Sequence, residues 1–471
     1  MELQLWEFSV GLYMINVYPD SLLLAAAYGV VESASTALFG PLIGQLVDSL
    51  SYTRVLQIWL LSQNLSFAVA GGAVVAILTY TDLMAANYAT FVSLLVLINV
   101  SGAVAVLSTL AGTILVEREW VVVISEGQSP GVLTRMNSII RRIDLICKLF
   151  APVLSGFIIS FVSLTASAAT LSIWNVASVF LIYFLLMSVY NGIPRLRDVS
   201  ERRVLSRSTR LERESLIPSD AINSEQPESS SKETVIEKFL SLPYVNAWRV
   251  YINQDVALPG LALALLYFTV LRGGSKGVVL GEPKHPPVFG TLMTATLEWE
   301  GIPAYVIGIA RGVSATVGIA ATFGYPVFES RISTLRTGLW SIWSQWACLL
   351  LCVASIFVSG KISSAYLLMA GVALSRLGLW MFDLSVIQQM QDHVAESDRC
   401  VVGGIQNSLQ SLLDLMTYVM GIVISDPQDF WKLIVLSFAL VTLAAVLYSV
   451  HIYRVRKHLI HVDKLLQLIR W

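Results

Sequence analysis

The chain has 471 residues, of which 55% are hydrophobic and 13% are charged, and its formal net charge is −1. This balance provides no basic surface of the kind that phosphate binding needs, so it argues against a nucleic-acid-binding function. Apolar stretches of roughly 20 residues, long enough to cross a bilayer, recur almost from end to end. The composition therefore predicts an all-α membrane protein that crosses the bilayer many times.

Twelve apolar stretches are predicted to span the membrane, six before a long polar segment and six after it. The first is shorter than the roughly 20 residues of a straight span, so we expect a first helix that is truncated at its start. The predicted spans are 3–18, 21–48, 54–79, 88–115, 135–162, 167–191, 246–271 continued at 289–297, 301–324, 335–359, 363–388, 402–424 and 430–453.

The polar segment divides the chain into two lobes. Residues 193–243 are rich in charged residues and serine and poor in aromatic residues, so they cannot bury enough apolar surface to fold. We expect a disordered linker there, between an N-terminal lobe (1–192) and a C-terminal lobe (244–453), with a tail at 454–471. Two six-helix lobes joined by a long loop are the layout of the major facilitator fold, whose substrate site lies near the bilayer midplane.

Basic residues concentrate in the loops on one side of the predicted membrane. That side includes the linker and the tail, whereas outside segment 272–288 the opposite loops carry only Lys361. The asymmetry predicts that both termini and the linker are cytosolic. We expect the plasma membrane, with a vacuolar membrane as the alternative. The basic residues of the cytosolic side outside the linker include Arg54, Arg118, Arg135, Arg331, Arg336, Arg399, Arg454, Arg456 and Lys457.

Segment 272–288 interrupts the seventh predicted span. Its lysines, prolines and glycines cannot continue a helix across hydrocarbon. Either it is a real loop at a broken helix that lines the cavity, or it comes from an incorrect gene model, which is the explanation that we favour.

A charged string inside the fifth predicted span is the strongest candidate for chemistry, because charges inside membrane helices are costly. Asp144 has Cys147 three positions on and Lys148 four positions on, so all three share one helix face. Asp144 and Cys147 could bind a transition metal. The alternative is a structural ion pair of Asp144 with Lys148 and Arg141. We expect the four cysteines to be packing residues, not a disulfide framework.

The stretch from Gly40 to Asp48, followed by Arg54, resembles the loop between the second and third helices of major facilitators. In that loop the glycines permit close helix packing, and the acid and the base form a cytosolic latch. A Gly-rich helix end with solvated charges is the alternative. The predicted gating residues are Asp48, Arg54, Arg141 and Arg142.

Five longer motifs, spread over both lobes, carry a resemblance to one family. They are 117–123 (EREWVVV), 136–144 (MNSIIRRID), 174–178 (WNVAS), 376–384 (RLGLWMFDL) and 404–414 (GIQNSLQSLLD). Together they resemble ferroportin, the iron-exporter family of major facilitators. The segment 297–305 (LEWEGIPAY) is more similar to the plant branch of this family than to the vertebrate branch.

The resemblance implies a metal route through the N-terminal lobe. Vertebrate ferroportins have an acid where Leu3 stands here, so that ligand is missing, but Glu7 occupies the position of a vertebrate histidine and could face the same cavity. Glu7 could equally be a helix cap or a solvated charge. The predicted metal-site residues are Asp144, Asn175, Ser178, Gln63 and Glu7.

A second metal site in the C-terminal lobe is either absent or rebuilt. Thr291 and Thr417 stand where vertebrate ferroportins have a cysteine and a histidine, and hydroxyls bind soft metals poorly. We therefore do not expect the peptide-hormone control that depends on that cysteine. Asp414 is the nearest ionisable group, and we favour a helix-packing role for it. The predicted C-lobe cavity residues are Thr291, Asn407, Asp414 and Thr417.

The sequence thus predicts an exporter of divalent metal, ferrous iron with cobalt or nickel as alternatives, that works by alternating access. We expect no cofactor beyond the transported ion, lipid as the only other partner, and a monomer. The chain carries no nucleophile–base set and no phosphate-cradling loop, so we do not expect an enzyme. An organic-solute facilitator and a non-transporting variant of this fold remain alternatives.

Overall fold

The computed structural model describes residues 2–17, 23–80, 83–129, 131–161, 163–215, 243–269, 304–358, 360–423 and 430–456. Within these ranges all regular structure is helical, as the apolar runs predict. Seven of the described helices are long and apolar enough to cross a membrane, and a bent pair of helices forms an eighth candidate. Segment 272–288 and the predicted continuation at 289–297 lie outside the described residues.

The N-terminal lobe follows the order of the first six predicted spans. Its helices are α1 (Glu2–Val17), α2 (Leu23–Ser49), α3 (Tyr52–Thr79), the short α4 (Leu83–Ala86), α5 (Tyr88–Thr113), a π-helical turn (Ile114–Trp120), α6 (Val121–Ser125), α7 (Val132–Phe161) and α8 (Leu164–Gly192).

The fourth span, predicted as 88–115, ends too early compared with the structure. In the structure α5, the π-helical turn and α6 form one continuous helical segment, Tyr88–Ser125. Charged residues end the apolar run, but Arg118 and Glu119 are buried within the protein and the helix continues past them. π-Helical turns inserted in a longer helix are often found at functional sites.

The C-terminal lobe supplies the remaining spans. After the linker helix α9 (Pro194–Ser215), its helices are α10 (Pro243–Ile252), α11 (Ala257–Leu265) with a 3₁₀ turn (Leu266–Phe268), α12 (Ala304–Ile332), α13 (Thr334–Ser355), α14 (Lys361–His393), α15 (Glu396–Val423) and α16 (Phe430–Arg456).

The seventh span, predicted as one helix over 246–271, is broken within its first half. The axes of Tyr244–Ile252 and Ala257–Phe268 differ by 102°. Polar contacts hold the bend against α15, because Tyr251 donates a hydrogen bond to Gln406 (2.6 Å) and Gln406 donates one to the carbonyl of Gly260 (3.1 Å). The prediction of a continuous helix was wrong because the three polar residues 253–255 were included in a longer apolar span.

The prediction of a disordered linker over 193–243 was also wrong for its first part. Residues Pro194–Ser215 form a helix, α9, directly after α8. Leu196 is fully buried against the N-terminal lobe, and the hydroxyl of Ser200 accepts a hydrogen bond from the backbone N–H of Tyr52 (3.2 Å). These contacts stabilise α9 against the N-terminal lobe although its composition is strongly polar. We call the end of the bundle at which α9 lies the linker end.

Each lobe has its own apolar core, and the outer surface is apolar as well. Phe180, Phe184 and Leu61 are 75%, 69% and 69% exposed, which suits a surface that faces lipid. All four cysteines are among the described residues and are free, as expected: Cys352 and Cys400 are buried, and Cys147 and Cys348 are half-buried.

Candidate transport site and the interface between the lobes

The two lobes meet most closely where α2 crosses α15. A Cβ atom on Gly404 would lie 2.5 Å from the carbonyl oxygen of Gly40 and 2.9 Å from Cα of Gly44. The hydroxyl of Ser408 also donates a hydrogen bond to the carbonyl of Ala37. The glycines predicted to permit close packing therefore do so, and their partner helix belongs to the opposite lobe.

Neutral side chains form a second set of contacts between α7 and the C-terminal lobe. Asn137 Nδ2 donates a hydrogen bond to Gln391 Oε1 (2.5 Å), and Gln388 Nε2 donates one to Thr134 Oγ1 (2.9 Å). These side chains lie in the part of each helix that is nearer the linker end. Buried hydrogen-bonded amides of this kind fix one arrangement of two surfaces, because breaking them leaves polar groups without partners.

The predicted gating residues Arg141 and Arg142 both reach across the lobe interface. Arg141 Nη2 lies 2.7 Å from Asp383 Oδ2 on α14, and its Nη1 lies 3.3 Å from Asp144 Oδ2 on its own helix. Arg142 Nε donates a hydrogen bond to Thr322 Oγ1 on α12 (3.2 Å), and its guanidinium lies over the ring of Phe323. Arg141 thus connects the predicted metal-site acid to the opposite lobe.

A buried carboxylate, Glu119, organises the charges at the linker end. Its side chain is fully buried; Arg203 Nη2 lies 2.6 Å from Oε1, and Arg399 Nη1 lies 3.6 Å from the same atom. The Tyr52 hydroxyl donates a hydrogen bond to this oxygen (3.1 Å). Burial opposes the charge on Arg203, but the attraction of Glu119 outweighs it, so the pKa of this guanidinium lies above its ordinary value. Three parts of the chain therefore meet at one carboxylate.

Asp144 lies on α7 among cations. Lys148 Nζ is 2.8 Å from Oδ2, and Gln4 Nε2 of α1 donates a hydrogen bond to Oδ1 (3.1 Å). With Arg141, these contacts form the ion pair that was the alternative to a metal ligand. The side chain of Asp144 is nevertheless one-quarter exposed, so the protein does not enclose it completely.

The other predicted metal-site residues do not converge on Asp144 in this structure. Gln63 Oε1 accepts a hydrogen bond from Trp59 Nε1 (2.7 Å), and Ser178 donates one to the carbonyl of Asn175 (2.8 Å). Glu7 is half-buried and interacts electrostatically with Tyr28. Among the described residues, no three His, Cys, Asp or Glu side chains come together as a metal site. The metal-binding role of these residues stays a prediction.

The predicted latch residue Asp48 has a basic neighbour other than Arg54, and its gating role stays a prediction. Asp48 Oδ1 lies 3.9 Å from Arg203 Nη1 of α9, while the side chain of Arg54 is exposed. The sequence pointed to Arg54 because it is close along the chain, whereas the folding of α9 brings Arg203 close in space.

In the C-terminal lobe the predicted cavity residues mainly bond to backbone. Thr417 donates a hydrogen bond to the carbonyl of Tyr267 (3.2 Å), at the end of the broken seventh span, and Asn407 donates one to the carbonyl of Gly403 (2.8 Å). Asp414 is half-buried, and Thr291 lies outside the described residues. Thr417 thus connects α15 to the broken seventh span by a hydrogen bond.

Sequence reasoning missed several residues of the lobe interface. Asp383, Glu119 and Arg399 are charged residues inside or at the end of apolar helices, a signal that could have found them. Glu32 is a further case, a buried acid in the middle of α2 that lies close enough to Tyr28 to interact with it electrostatically. Nothing in the sequence distinguished Arg203, because it lies in the linker, where most of its neighbours are also charged or polar.

Two helical lobes that meet at one end have the architecture of the major facilitator class of membrane transporters. A solved proton:xylose symporter of that superfamily, XylE, has the same fold, with a TM-score of 0.60 at 10% identity over 94% of this chain and 92% of its own. The profile described as Ferroportin1 (FPN1) matches residues 1–441, and the chain belongs to the ferroportin family.

The relatives agree with the plant-type resemblance. The chain is 57% identical to solute carrier family 40 member 2 of Arabidopsis thaliana over 98% of this chain and 88% of that protein. It is 28% identical to the ferroportin of Canis lupus familiaris over 94% of this chain and 88% of that protein. A crystal structure of a bacterial homologue of the iron transporter ferroportin, in an outward-facing state, has a TM-score of 0.74 at 21% identity over 94% of both chains.

Proposed function

We propose that this protein exports a divalent transition metal, ferrous iron first and cobalt or nickel as alternatives, by alternating access of its two lobes. Membership of the ferroportin family supports the class of substrate. The observation that carries the mechanism is the ion pair of Arg141 with both Asp144 and Asp383, because it links the candidate metal ligand to the contact between the lobes.

The linker end is the cytosolic end in this proposal. The exposed cations Arg54, Arg135 and Arg454 lie in or beside its loops, and such loops are cytosolic in most membrane proteins. The close crossing of α2 and α15 then closes the cytosolic side. The protein would act in the plasma membrane or in a vacuolar membrane.

Asp144 is the first carboxylate offered to the metal. A dication that binds it must replace the attraction of Lys148 and Arg141, which are 2.8 Å and 3.3 Å from the same oxygen. Arg141 is then free to pair with Asp383 alone, which strengthens the contact between the lobes. Metal binding would therefore favour closure of the cytosolic side, the direction that export requires.

Glu7, Gln63, Asn175 and Ser178 would serve a later stage of the same route. Their oxygen atoms are the donor type that divalent iron accepts, although Gln63 and Ser178 are engaged in hydrogen bonds here. A metal reaching them must first break those bonds. We assign them the role of transient ligands and not of a preformed site.

The direct test is efflux of radiolabelled iron and cobalt from cells that express the full chain. A version without residues 272–288 is measured in parallel, together with an Asp144→Ala variant. Metal efflux from the full chain, abolished in Asp144→Ala at equal surface abundance, supports the proposal. Sugar or amine transport that metals do not inhibit would contradict it.

A further inference from the structure

Three side chains contact the Asp144 carboxylate in the part of the chain that the structure describes, and they divide between its two oxygens. Lys148 Nζ and Arg141 Nη1 lie 2.8 Å and 3.3 Å from Oδ2. Gln4 Nε2, from α1, donates a hydrogen bond to Oδ1 (3.1 Å). The two cations therefore hold one oxygen, and a neutral amide from another helix holds the other.

Gln4 is the one member of these three neighbours that carries an oxygen atom. The ammonium group of Lys148 and the guanidinium group of Arg141 have donors only, whereas the Gln4 amide combines an NH₂ group with a carbonyl oxygen. A divalent metal needs ligands with a free electron pair and is repelled by both cations. Of the side chains in contact with Asp144, Gln4 is thus the one that can join it as a ligand.

The carbonyl oxygen of the Gln4 amide has no use in the metal-free protein. Gln4 Oε1 is buried and accepts no hydrogen bond from the residues that the structure describes. A buried acceptor without a donor is costly, so the contact of the N–H group with Asp144 keeps the amide in this orientation. The terminal torsion of glutamine is broad and roughly twofold, so a half-turn that exchanges Nε2 with Oε1 is accessible.

The protein does not seal these side chains in a core. The side chain of Asp144 is 25% exposed, that of Lys148 is 38% exposed, and Gln4 is half-buried. The buried Gln63, in contrast, is held by Trp59. An ion that approaches Asp144 on the Oδ1 side therefore meets a neutral amide at an incompletely enclosed position.

We infer that Gln4 is a second ligand of the transported metal, together with Asp144. In the empty protein its N–H group holds Asp144 Oδ1. A dication at that oxygen repels the N–H group and attracts the carbonyl, so the amide turns over and Oε1 binds the ion beside Oδ1. The ion then joins α1 to α7 where a hydrogen bond joined them before. This inference rests on the metal export proposed above and adds a residue to its site.

Other contacts that do not involve Gln4 hold α1 in the N-terminal lobe. The Ser155 hydroxyl of α7 donates a hydrogen bond to the carbonyl of Leu5 (3.3 Å). The fully buried Trp6 packs against Phe67 of α3, with ring centroids 5.5 Å apart. Variants of Gln4 should therefore fold and reach the membrane, so a change in their metal binding reports on the amide itself.

The first experiment measures the binding of radiolabelled cobalt to the purified full chain. Gln4→Met removes both the N–H group and the oxygen at similar side-chain length, and should weaken cobalt binding about tenfold or more, as the loss of a metal-site residue typically does. Gln4→Glu retains an oxygen and should bind cobalt at least as tightly as the unaltered protein. Gln57→Met and Gln57→Glu, at an exposed glutamine on α3, are the matched controls and should bind normally.

The sign of the change in Gln4→Met decides the question. If the amide N–H only competes with the metal for Asp144 Oδ1, its removal tightens cobalt binding, and that result would overturn the inference. Unchanged binding with an altered maximal transport rate would show a structural role and overturn it as well. If Gln4→Met does not fold, weaker cobalt binding by a folded Gln4→Glu has the same consequence.

A transport arm separates this inference from the proposed function. In proteoliposomes, Gln4→Met should raise the cobalt concentration needed for half-maximal transport by the same factor as it weakens binding, and change the maximal rate less. If the unaltered protein moves no metal, the proposed function fails and this inference fails with it. If metal moves and Asp144→Ala abolishes its binding while Gln4→Met leaves binding unchanged, the role of Gln4 is refuted and the proposed function stands.

Discussion

Arg141 on α7 and Asp383 on α14 form a 2.7 Å ion pair between the two lobes, with the Asp383 carboxylate almost completely buried. Removing one member of a buried pair leaves an uncompensated charge, which typically costs about 3–5 kcal/mol. Arg141→Gln and Asp383→Asn should each reduce metal efflux at least about tenfold, since a tenfold change requires only about 1.4 kcal/mol.

The double variant tests whether these two residues act together. Arg141→Gln with Asp383→Asn removes both charges of this pair, so neither is left without the other, and the loss of efflux should be smaller than the product of the two single losses. Arg135→Gln, which removes an exposed cation from the same helix, is the matched control and should transport normally. Strictly multiplicative losses in the double variant would show that the pair does not couple the lobes.

Because α2 and α15 cross so closely, we expect a larger side chain at Gly404 to reduce metal efflux strongly. Alanine there would place Cβ 2.5 Å from the backbone oxygen of Gly40, a distance that only a separation of the helices can relieve. We expect Gly404→Ala to reduce metal efflux at least about tenfold while the protein still reaches the membrane. Gly72→Ala is the control, because nothing lies within 4 Å of its added Cβ. Equal efflux in the two variants would mean that α2 and α15 can separate to accommodate the added Cβ without impairing transport.

Comparing metal efflux in variants of Asp144 and Lys148 distinguishes a transport role of Asp144 from a structural one. If Asp144 binds the metal, Asp144→Ala abolishes efflux, whereas Lys148→Gln removes a competing cation 2.8 Å from the carboxylate and lowers the metal concentration needed for half-maximal efflux. The measurement is initial efflux against cytosolic metal at matched surface abundance. Similar losses in both variants would favour the ion pair as a purely structural element.

The spans were predictable and the contacts between them were not. Apolar runs located α3 within two residues, predicted as 54–79 and observed as Tyr52–Thr79, because lipid requires an uninterrupted hydrophobic surface. The glycines near Asp48 were recognised from a short motif that resembles the loop between the second and third helices of major facilitators. Asp383 and Glu119 meet their partners only through the packing of distant helices, a relationship that no local pattern contains. α9 was missed because two or three buried contacts, and not its composition, make it fold.

Arg203 is the residue through which α9 holds the linker end together. It contacts Glu119 and Asp48 of the N-terminal lobe, and its Nη1 lies 3.8 Å from Cys400 Sγ of the C-terminal lobe. Arg203→Gln removes the closest partner of a fully buried carboxylate, so α9 should detach more often. Cleavage after the exposed Glu201 by a glutamate-specific protease then reports the detached fraction, and we expect it to accelerate at least about tenfold, equivalent to about 1.4 kcal/mol.

Arg202→Gln is the matched control for this change. It removes the same charge one residue away, from an exposed position, and leaves Glu201 intact as the cleavage site. Its cleavage rate should stay within about twofold of that of the unaltered protein, because exposed charges contribute little. If both variants are cleaved equally fast, net charge and not the contact with Glu119 governs the docking of α9. If only Arg203→Gln is cleaved faster, this contact holds the helix in place.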